Sequence, residues 1–100
     1  VLLMGGMDLS AYFQDVWSSA DGGRYWLLLT DGAGWLRRAS FATVVLPSSE
    51  CVLLLGGSVE GNPVHDVWRS CDSGESWSLV TDAAPWPPRD RHAAVVVSES

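Results

Sequence analysis

Two short segments combine a serine, an aspartate and a tryptophan at the same spacing, and they are the first candidates for chemistry. Residues 19–26 and 70–77 both read Ser-x-Asp-x-Gly-x-x-Trp. A carboxylate beside a hydroxyl could hold an ion or a ligand. The same residues also suit a structural turn, because aspartate accepts hydrogen bonds from nearby backbone N–H groups and glycine permits the turn geometry. We interpret both segments as structural turns built by Ser19, Asp21, Gly23, Trp26, Ser70, Asp72, Gly74 and Trp77.

The histidines and cysteines do not have the spacing of a catalytic or metal site. His65 and His92 are single, and either role needs companions such as a second histidine or a carboxylate at ligand spacing. Cys51 and Cys71 are too few for a disulfide scaffold and lack metal-ligand spacing. We expect two buried thiols, with a disulfide between them as the alternative. The sequence therefore predicts no catalytic residue, no metal and no cofactor.

Composition narrows the classes of partner. Apolar residues make up 47% of the 100 residues and charged residues 18%, which favours a folded chain. The net charge is −6 and no basic patch is visible, so we expect no nucleic-acid partner. No apolar run approaches the ~20 residues of a membrane span, and we expect no membrane partner. The first residues do not resemble a signal peptide, and the missing initiator Met suggests a piece of a longer protein or a processed product.

The chain is a tandem repeat with a period of 51 residues. Sliding it against itself by that distance needs no gap, and 22 of the 49 superposed positions are identical, far above chance. All six tryptophans pair, and Gly5-Gly6 falls on Gly56-Gly57. We therefore treat residues 1–100 as one unit with two repeats, about 1–50 and about 51–100.

Each repeat reads as short strands separated by turn residues, with no sustained helical periodicity. We name the strands a to d, and the predicted chain order is b-c-d, then a-b-c-d, then a. The predicted ranges are 42–46 and 93–97 for strand a, 1–4 and 52–55 for b, 15–19 and 66–70 for c, and 26–29 and 77–80 for d. This pattern predicts an all-β fold made of four-stranded antiparallel blades.

The repeat resembles known β-propeller families. The Ser-x-Asp-x-Gly-x-x-Trp segments resemble the Asp-box of sialidase-like propellers, also called the BNR repeat. The Gly pair that ends strand b, the aromatic residue on strand c and the later tryptophan resemble a kelch repeat, although Trp17 and Trp68 stand where that repeat usually has a tyrosine. The resemblance covers essentially the whole chain. It implies about two blades of a β-propeller, and it implies that the Asp-boxes are structural.

Strand direction assigns the connections to two faces of the fold. The a–b and c–d turns share one face, and the b–c and d–a connections share the other. The b–c loops, residues 7–14 and 58–65, are where the repeats diverge most, as expected of a scaffold that carries function on its loops. In the families that the chain resembles, the ligand face is also the face of the b–c and d–a loops.

Five residues on that second face are candidate contacts for a partner. The aromatic pair in the first b–c loop suits a binding hot spot, although it could instead tuck onto its own blade. Arg37 and Arg91 of the d–a segments do not recur at the repeat period. The residues that do recur are expected to pack between repeats: Trp35, Trp86, Arg38 and Arg89. The candidate contacts are Tyr12, Phe13, Arg37, His65 and Arg91.

Two functions remain open at this stage. The first is a non-catalytic module that binds or scaffolds proteins, with carbohydrate as another ligand class. The second is a fragment of a sialidase-like glycoside hydrolase, for which Tyr12, Arg37 and Asp8 are the right residue types but lack an identifying spacing. We expect the first, and we expect no enzyme. The strand offset also predicts either homo-oligomeric ring closure or continuation into a longer propeller.

Overall fold

The chain folds into two antiparallel β-sheets joined by a linker, as seen in a computed structural model that describes residues 1–97. The first sheet has the order β1-β2-β3 and the second β4-β5-β6-β7. The strands are β1 Leu2–Met4, β2 Val16–Ser18, β3 Leu27–Thr30, β4 Ala42–Val45, β5 Val52–Val59, β6 Asn62–Ser70 and β7 Ser78–Thr81. The described residues contain no helix, and so none that could cross a membrane. The all-β prediction and the strand order b-c-d, a-b-c-d are confirmed.

The sequence repeat is also a repeat of strand pairing. Leu3 pairs with Trp17 in the first sheet, and the equivalent Leu54 pairs with Trp68 in the second. The register of strand c against strand d shifts at Val16/Trp17 and again at Val67/Trp68. An irregularity that recurs at the same place is a local feature of the repeat.

The second b–c connection differs from the prediction. Residues 58–65 were expected to form a long loop, but β5 and β6 continue through them to a two-residue turn at Glu60 and Gly61. Both turn residues have positive φ, 51° and 83°, which matches the hairpin turn whose twist fits flanking strands. The hairpin therefore projects beyond the rest of the second sheet.

The prediction of a final strand a over residues 93–97 is also wrong. These residues have no strand pairing, whereas the equivalent residues in β4 pair with β5. A strand is defined by its ladder of hydrogen bonds, and no strand b stands beside this segment among residues 1–97. Its exposure nevertheless alternates residue by residue, as in β structure.

The core lies between the sheets and is built around the linker, residues 31–41. Trp35 is fully buried and meets Trp77 edge-on, with ring centroids 6.0 Å apart. Val16, Ala33 and Leu54 complete the buried cluster. Both sheets and the linker thus contribute apolar side chains to one core.

A buried ion pair crosses the same boundary. The Arg38 guanidinium donates to both carboxylate oxygens of Asp66, at 2.6 and 2.8 Å, and to the Gly56 carbonyl at 3.0 Å. The Arg38 side chain is 0% exposed and that of Asp66 17%. Trp35 and Arg38 therefore pack between the repeats, as predicted. The equivalent Trp86, however, is only half-buried and Arg89 is exposed, so the prediction is not met for these two.

The glycine pairs let the linker approach the sheets closely. Gly57 has φ +104°, and a Cβ atom there would lie 2.8 Å from the Ala39 carbonyl oxygen and from Phe41. Gly6 donates to the Arg38 carbonyl, and Gly57 donates to the Arg89 carbonyl. The recurring pairs are thus docking points for the segment that follows strand d.

Cys51 and Cys71 form a disulfide, so the expectation of two buried thiols is wrong. The half-cystines flank the directly paired residues Val52 and Ser70 of β5 and β6, and their Cα atoms are 4.3 Å apart. That separation is typical of directly opposed residues in an antiparallel pair. The bridge ties the base of the long hairpin.

Candidate functional site

A groove between the two sheets gathers three of the five candidate contacts. Its volume is about 560 Å³, and it lies where the first b–c loop, the linker and the tip of the β5–β6 hairpin meet. We call it the binding groove. It is lined by Ser10, Ala11, Tyr12, Phe13, Arg37 and Glu60.

The loop that carries the aromatic pair is held in shape by Asp8. One Asp8 carboxylate oxygen accepts hydrogen bonds from the Ser10 amide, the Ser10 hydroxyl and the Ala11 amide, all at 2.7–2.8 Å. The Asp8 amide donates to the Ala11 carbonyl, which closes the turn. A loop fixed in this way loses little further conformational entropy when a partner binds.

Backbone hydrogen bonds place Phe13 beside the linker. The Phe13 amide donates to the Gly6 carbonyl, and the Phe13 carbonyl accepts from the Arg38 amide. The Gln14 side-chain amide bridges the Ala33 and Trp35 carbonyls, each at 3.0 Å. The loop and the linker are thus one connected unit, which positions Arg37 next to the aromatic pair.

The charges of the groove are uncompensated within the described residues. Arg37 is exposed and makes no ion pair there, and Glu60 at the hairpin tip makes none either. Tyr12 and Phe13 are half-buried and line the groove. The groove therefore offers a cation, an anion and an aromatic surface to one ligand.

The other two candidate contacts lie outside the groove. His65 occupies the position equivalent to Gln14, and its Nδ1 lies 3.1 Å from the Trp86 carbonyl. A carbonyl only accepts, so Nδ1 carries the proton in this contact. Arg91 is exposed, with φ 54°, and its amide donates to the Ser40 carbonyl. His65 thus ties β6 to the segment that follows β7, and Arg91 stands apart.

The two Ser-x-Asp-x-Gly-x-x-Trp turns have the same internal hydrogen bonds. In the first, the Ser19 hydroxyl donates to Asp21 and accepts from the Gly23 amide, and the Trp26 indole donates to the Gly23 carbonyl. In the second, Ser70, Asp72, Gly74 and Trp77 repeat those contacts. Both carboxylates also accept backbone N–H groups of their own turn. Their polar atoms are thus used within the turn.

These contacts lower the pKa of the aspartates involved. Backbone and serine hydrogen bonds stabilise the ionised form of Asp8, Asp21 and Asp72, and the pKa of each lies below its usual value. At Asp66 burial raises the pKa, but the Arg38 hydrogen bonds, the Trp68 indole and the Arg38 charge outweigh it, so the pKa is lowered. All four are carboxylates at neutral pH.

The comparisons with known proteins give no relative. A scan against protein-family models found no match, and a search of curated proteins found no significant match. Among residues 1–97, no three side chains of the histidine, cysteine, aspartate or glutamate types cluster in a way that could hold a metal ion.

Three of the six residues that line the groove, Ser10, Ala11 and Glu60, were not among the candidate contacts. Glu60 was hidden because residues 58–65 were interpreted as a loop rather than a hairpin. The signal that could have found it was Gly61 between two stretches able to form strands, which marks a tight turn. A hairpin there carries its tip across to the first repeat, beside Arg37.

Proposed function

We propose that the chain is a non-catalytic binding module, formed by two blades of a kelch-like, Asp-box-bearing β-propeller, and that it binds protein partners through the binding groove. One observation carries the proposal. Tyr12 and Phe13 of the first b–c loop meet Arg37 of the linker in a single groove, on the face to which strand direction assigns the b–c and d–a connections.

Three features support the propeller part of the proposal. Strands b, c and d recur with the same register and the same shift between c and d. The c–d turns have the same hydrogen bonds in both repeats. The linker after strand d passes to the neighbouring sheet and supplies Arg38 to it. Radial repetition of such sheets is how propellers are built.

The groove defines the chemistry of the partner. Arg37 favours a carboxylate, which a planar guanidinium can bind through two hydrogen bonds. Tyr12 and Phe13 favour an apolar or aromatic side chain next to that carboxylate. Glu60, across the groove, favours a basic group. A peptide segment that combines an apolar residue with charges of both signs matches this surface.

A peptide selection tests the proposal and needs no named partner. Peptides displayed on phage are selected on the folded chain, and the enriched sequences are measured against variants. We expect Tyr12→Ala and Arg37→Ala each to weaken binding at least about 10-fold, as for hot-spot residues. Tyr25→Ala is the matched control, because Tyr25 is 76% exposed on the c–d turn, opposite the groove. Enriched peptides that bind all three variants as tightly as the wild type would contradict the proposal.

The glycoside hydrolase alternative is weakened by Asp8. A general acid for glycoside cleavage needs a raised pKa, whereas hydrogen bonds lower the pKa of Asp8. Arg37 is the one arginine that lines the groove among the described residues, so an arginine cluster for a sugar carboxylate is not gathered there. Hydrolysis of a fluorogenic sialoside by the folded chain would reverse this order.

A further inference from the structure

Each residue at the boundary between the two sheets has an equivalent 51 positions away in the other repeat. Arg38 from the linker binds Asp66 and the Gly56 carbonyl of the second sheet. Trp35 from the same linker meets Trp77 edge-on. On the far side of the boundary, a Cβ atom at Gly74 would lie 3.1 Å from Leu2 and 3.3 Å from Val16 of the first sheet.

The residues equivalent to those that the linker contributes to this boundary are exposed or half-buried at the far side of the second sheet. Arg89 corresponds to Arg38 and is exposed, and its guanidinium makes one described contact, from Nε to the Pro87 carbonyl. Trp86 corresponds to Trp35 and is half-buried instead of fully buried. Trp86 and Arg89 line a cavity of about 230 Å³. We call this the linker surface.

The first sheet carries the equivalents of the residues that the second sheet contributes to the boundary, and these equivalents have no partner surface among the described residues. Asp15 corresponds to Asp66; it accepts the Trp17 indole as Asp66 accepts Trp68, but no described cation pairs with it. Trp26, the equivalent of Trp77, is 40% exposed. A Cβ atom at Gly23, the equivalent of Gly74, would meet only Trp26 of its own turn. We call this the sheet surface.

We propose that the linker surface of one copy of this chain binds the sheet surface of a second copy. The two surfaces are complementary in charge, and they carry the residues with which the chain already binds itself across the Arg38–Asp66 boundary. The Arg89 guanidinium donates to the Asp15 carboxylate and the Gly5 carbonyl of the second copy. Trp86 packs edge-on against Trp26 of that copy.

The backbone pairing between β4 and β5 also has an equivalent in the contact between two copies. The observed pairing of Ala42 with Leu55 becomes Ala93 with Met4 of the second copy. Residues 93–96, whose exposure alternates but which have no strand pairing, thereby gain a ladder of backbone hydrogen bonds. β1 gains a strand on its unpaired edge. Because the two surfaces differ, the contact is head-to-tail, and it forms a ring or a filament according to whether the rotation closes.

Charge reversal tests the proposal with two single variants. Arg89→Asp places two aspartates opposite each other between identical copies, and Asp15→Arg places two arginines opposite each other. Mixed in equal amounts, the two variants restore an opposite-charge pair at every contact between unlike copies. We expect light scattering to give masses above the 10.8 kDa of one chain for the wild type, a loss of at least about 30-fold in association for each variant alone, and recovery in the mixture.

The controls separate association from folding and from the binding groove. Arg37→Asp makes the same charge change as Arg89→Asp outside both surfaces, and we expect it to leave the mass unchanged. Asp15→Asn keeps an acceptor for the Trp17 indole if Asp15→Arg fails to fold, and we expect it to weaken association. A wild type that stays at 10.8 kDa at high concentration, single variants that associate like the wild type, or a mixture that stays monomeric would each overturn the proposal. None of these outcomes bears on peptide binding at the groove.

Discussion

At the scale of single residues, the serine of each turn motif does more than its size suggests. The Ser70 hydroxyl donates to Asp72 and accepts from the Gly74 amide, each at 2.9 Å, and Ser70 is 1% exposed. The Gly74 amide lies where the second turn packs against Leu2 and Val16. One hydroxyl therefore satisfies a buried N–H group and orients a carboxylate.

We expect Ser70→Ala to lower the free energy of unfolding by about 1–3 kcal/mol, because it leaves the buried Gly74 amide without an acceptor. Urea denaturation followed by tryptophan fluorescence measures this change. Ser78→Ala is the control: Ser78 is exposed and its hydroxyl makes only a 3.5 Å contact, so we expect a change within about 0.5 kcal/mol. Equal effects of the two substitutions would show that the Ser70 contact contributes nothing specific.

At the scale of elements, the long β5–β6 hairpin is fixed at both ends. Its tip turns at Glu60 and Gly61, and its base is closed by the disulfide between Cys51 and Cys71. Because the tip lines the groove beside Arg37, the rigidity of the hairpin determines how far Glu60 lies from the first b–c loop.

We expect the loss of the disulfide to destabilise the chain by about 2–4 kcal/mol, the range typical of such bridges; this one joins residues 20 apart in sequence. The measurement compares urea midpoints of the wild type with and without reductant. A variant with both Cys51→Ala and Cys71→Ala should match the reduced wild type and should not respond to reductant. Alkylation of both thiols without reductant would contradict the disulfide itself.

The elements also show how far the sequence alone predicts this fold. Strands b, c and d were predictable because apolar runs and turn residues recur at 51 residues. The β5–β6 hairpin was missed, because its turn signal, Glu-Gly, is weaker than Asn-Gly. Residues 93–97 have the composition of a strand, yet a strand also needs a neighbour, which composition does not reveal.

The sequence predicted three of the six residues that line the groove. The face was predicted from strand direction, and the meeting of Tyr12, Phe13 and Arg37 agrees with it. The His65 side chain has a structural contact that the sequence did not indicate, because it binds the Trp86 carbonyl as Gln14 binds the Trp35 carbonyl. Sequence divergence at one position can therefore conserve a structural role. The contact of His65 with a partner stays a prediction.

At the scale of the whole molecule, the fold depends on one boundary. The groove exists because the two sheets pack side by side, and the proposed contact between copies is that packing translated by one repeat. The ion pair between Arg38 and Asp66 is its central polar contact, with Arg38 fully buried. At pH 7 Asp66 is ionised, because its pKa is lowered.

A double-mutant cycle on this pair tests the boundary most directly. Unfolding free energies are measured at pH 7 for the wild type, Arg38→Met, Asp66→Asn and the double variant. Removing one partner of a buried pair leaves the other charge uncompensated, so we expect Arg38→Met to cost about 3–5 kcal/mol and the two changes to couple by at least about 1 kcal/mol. Effects that add to within about 0.5 kcal/mol would show that the two side chains do not meet, and would contradict the packing on which both proposals rest.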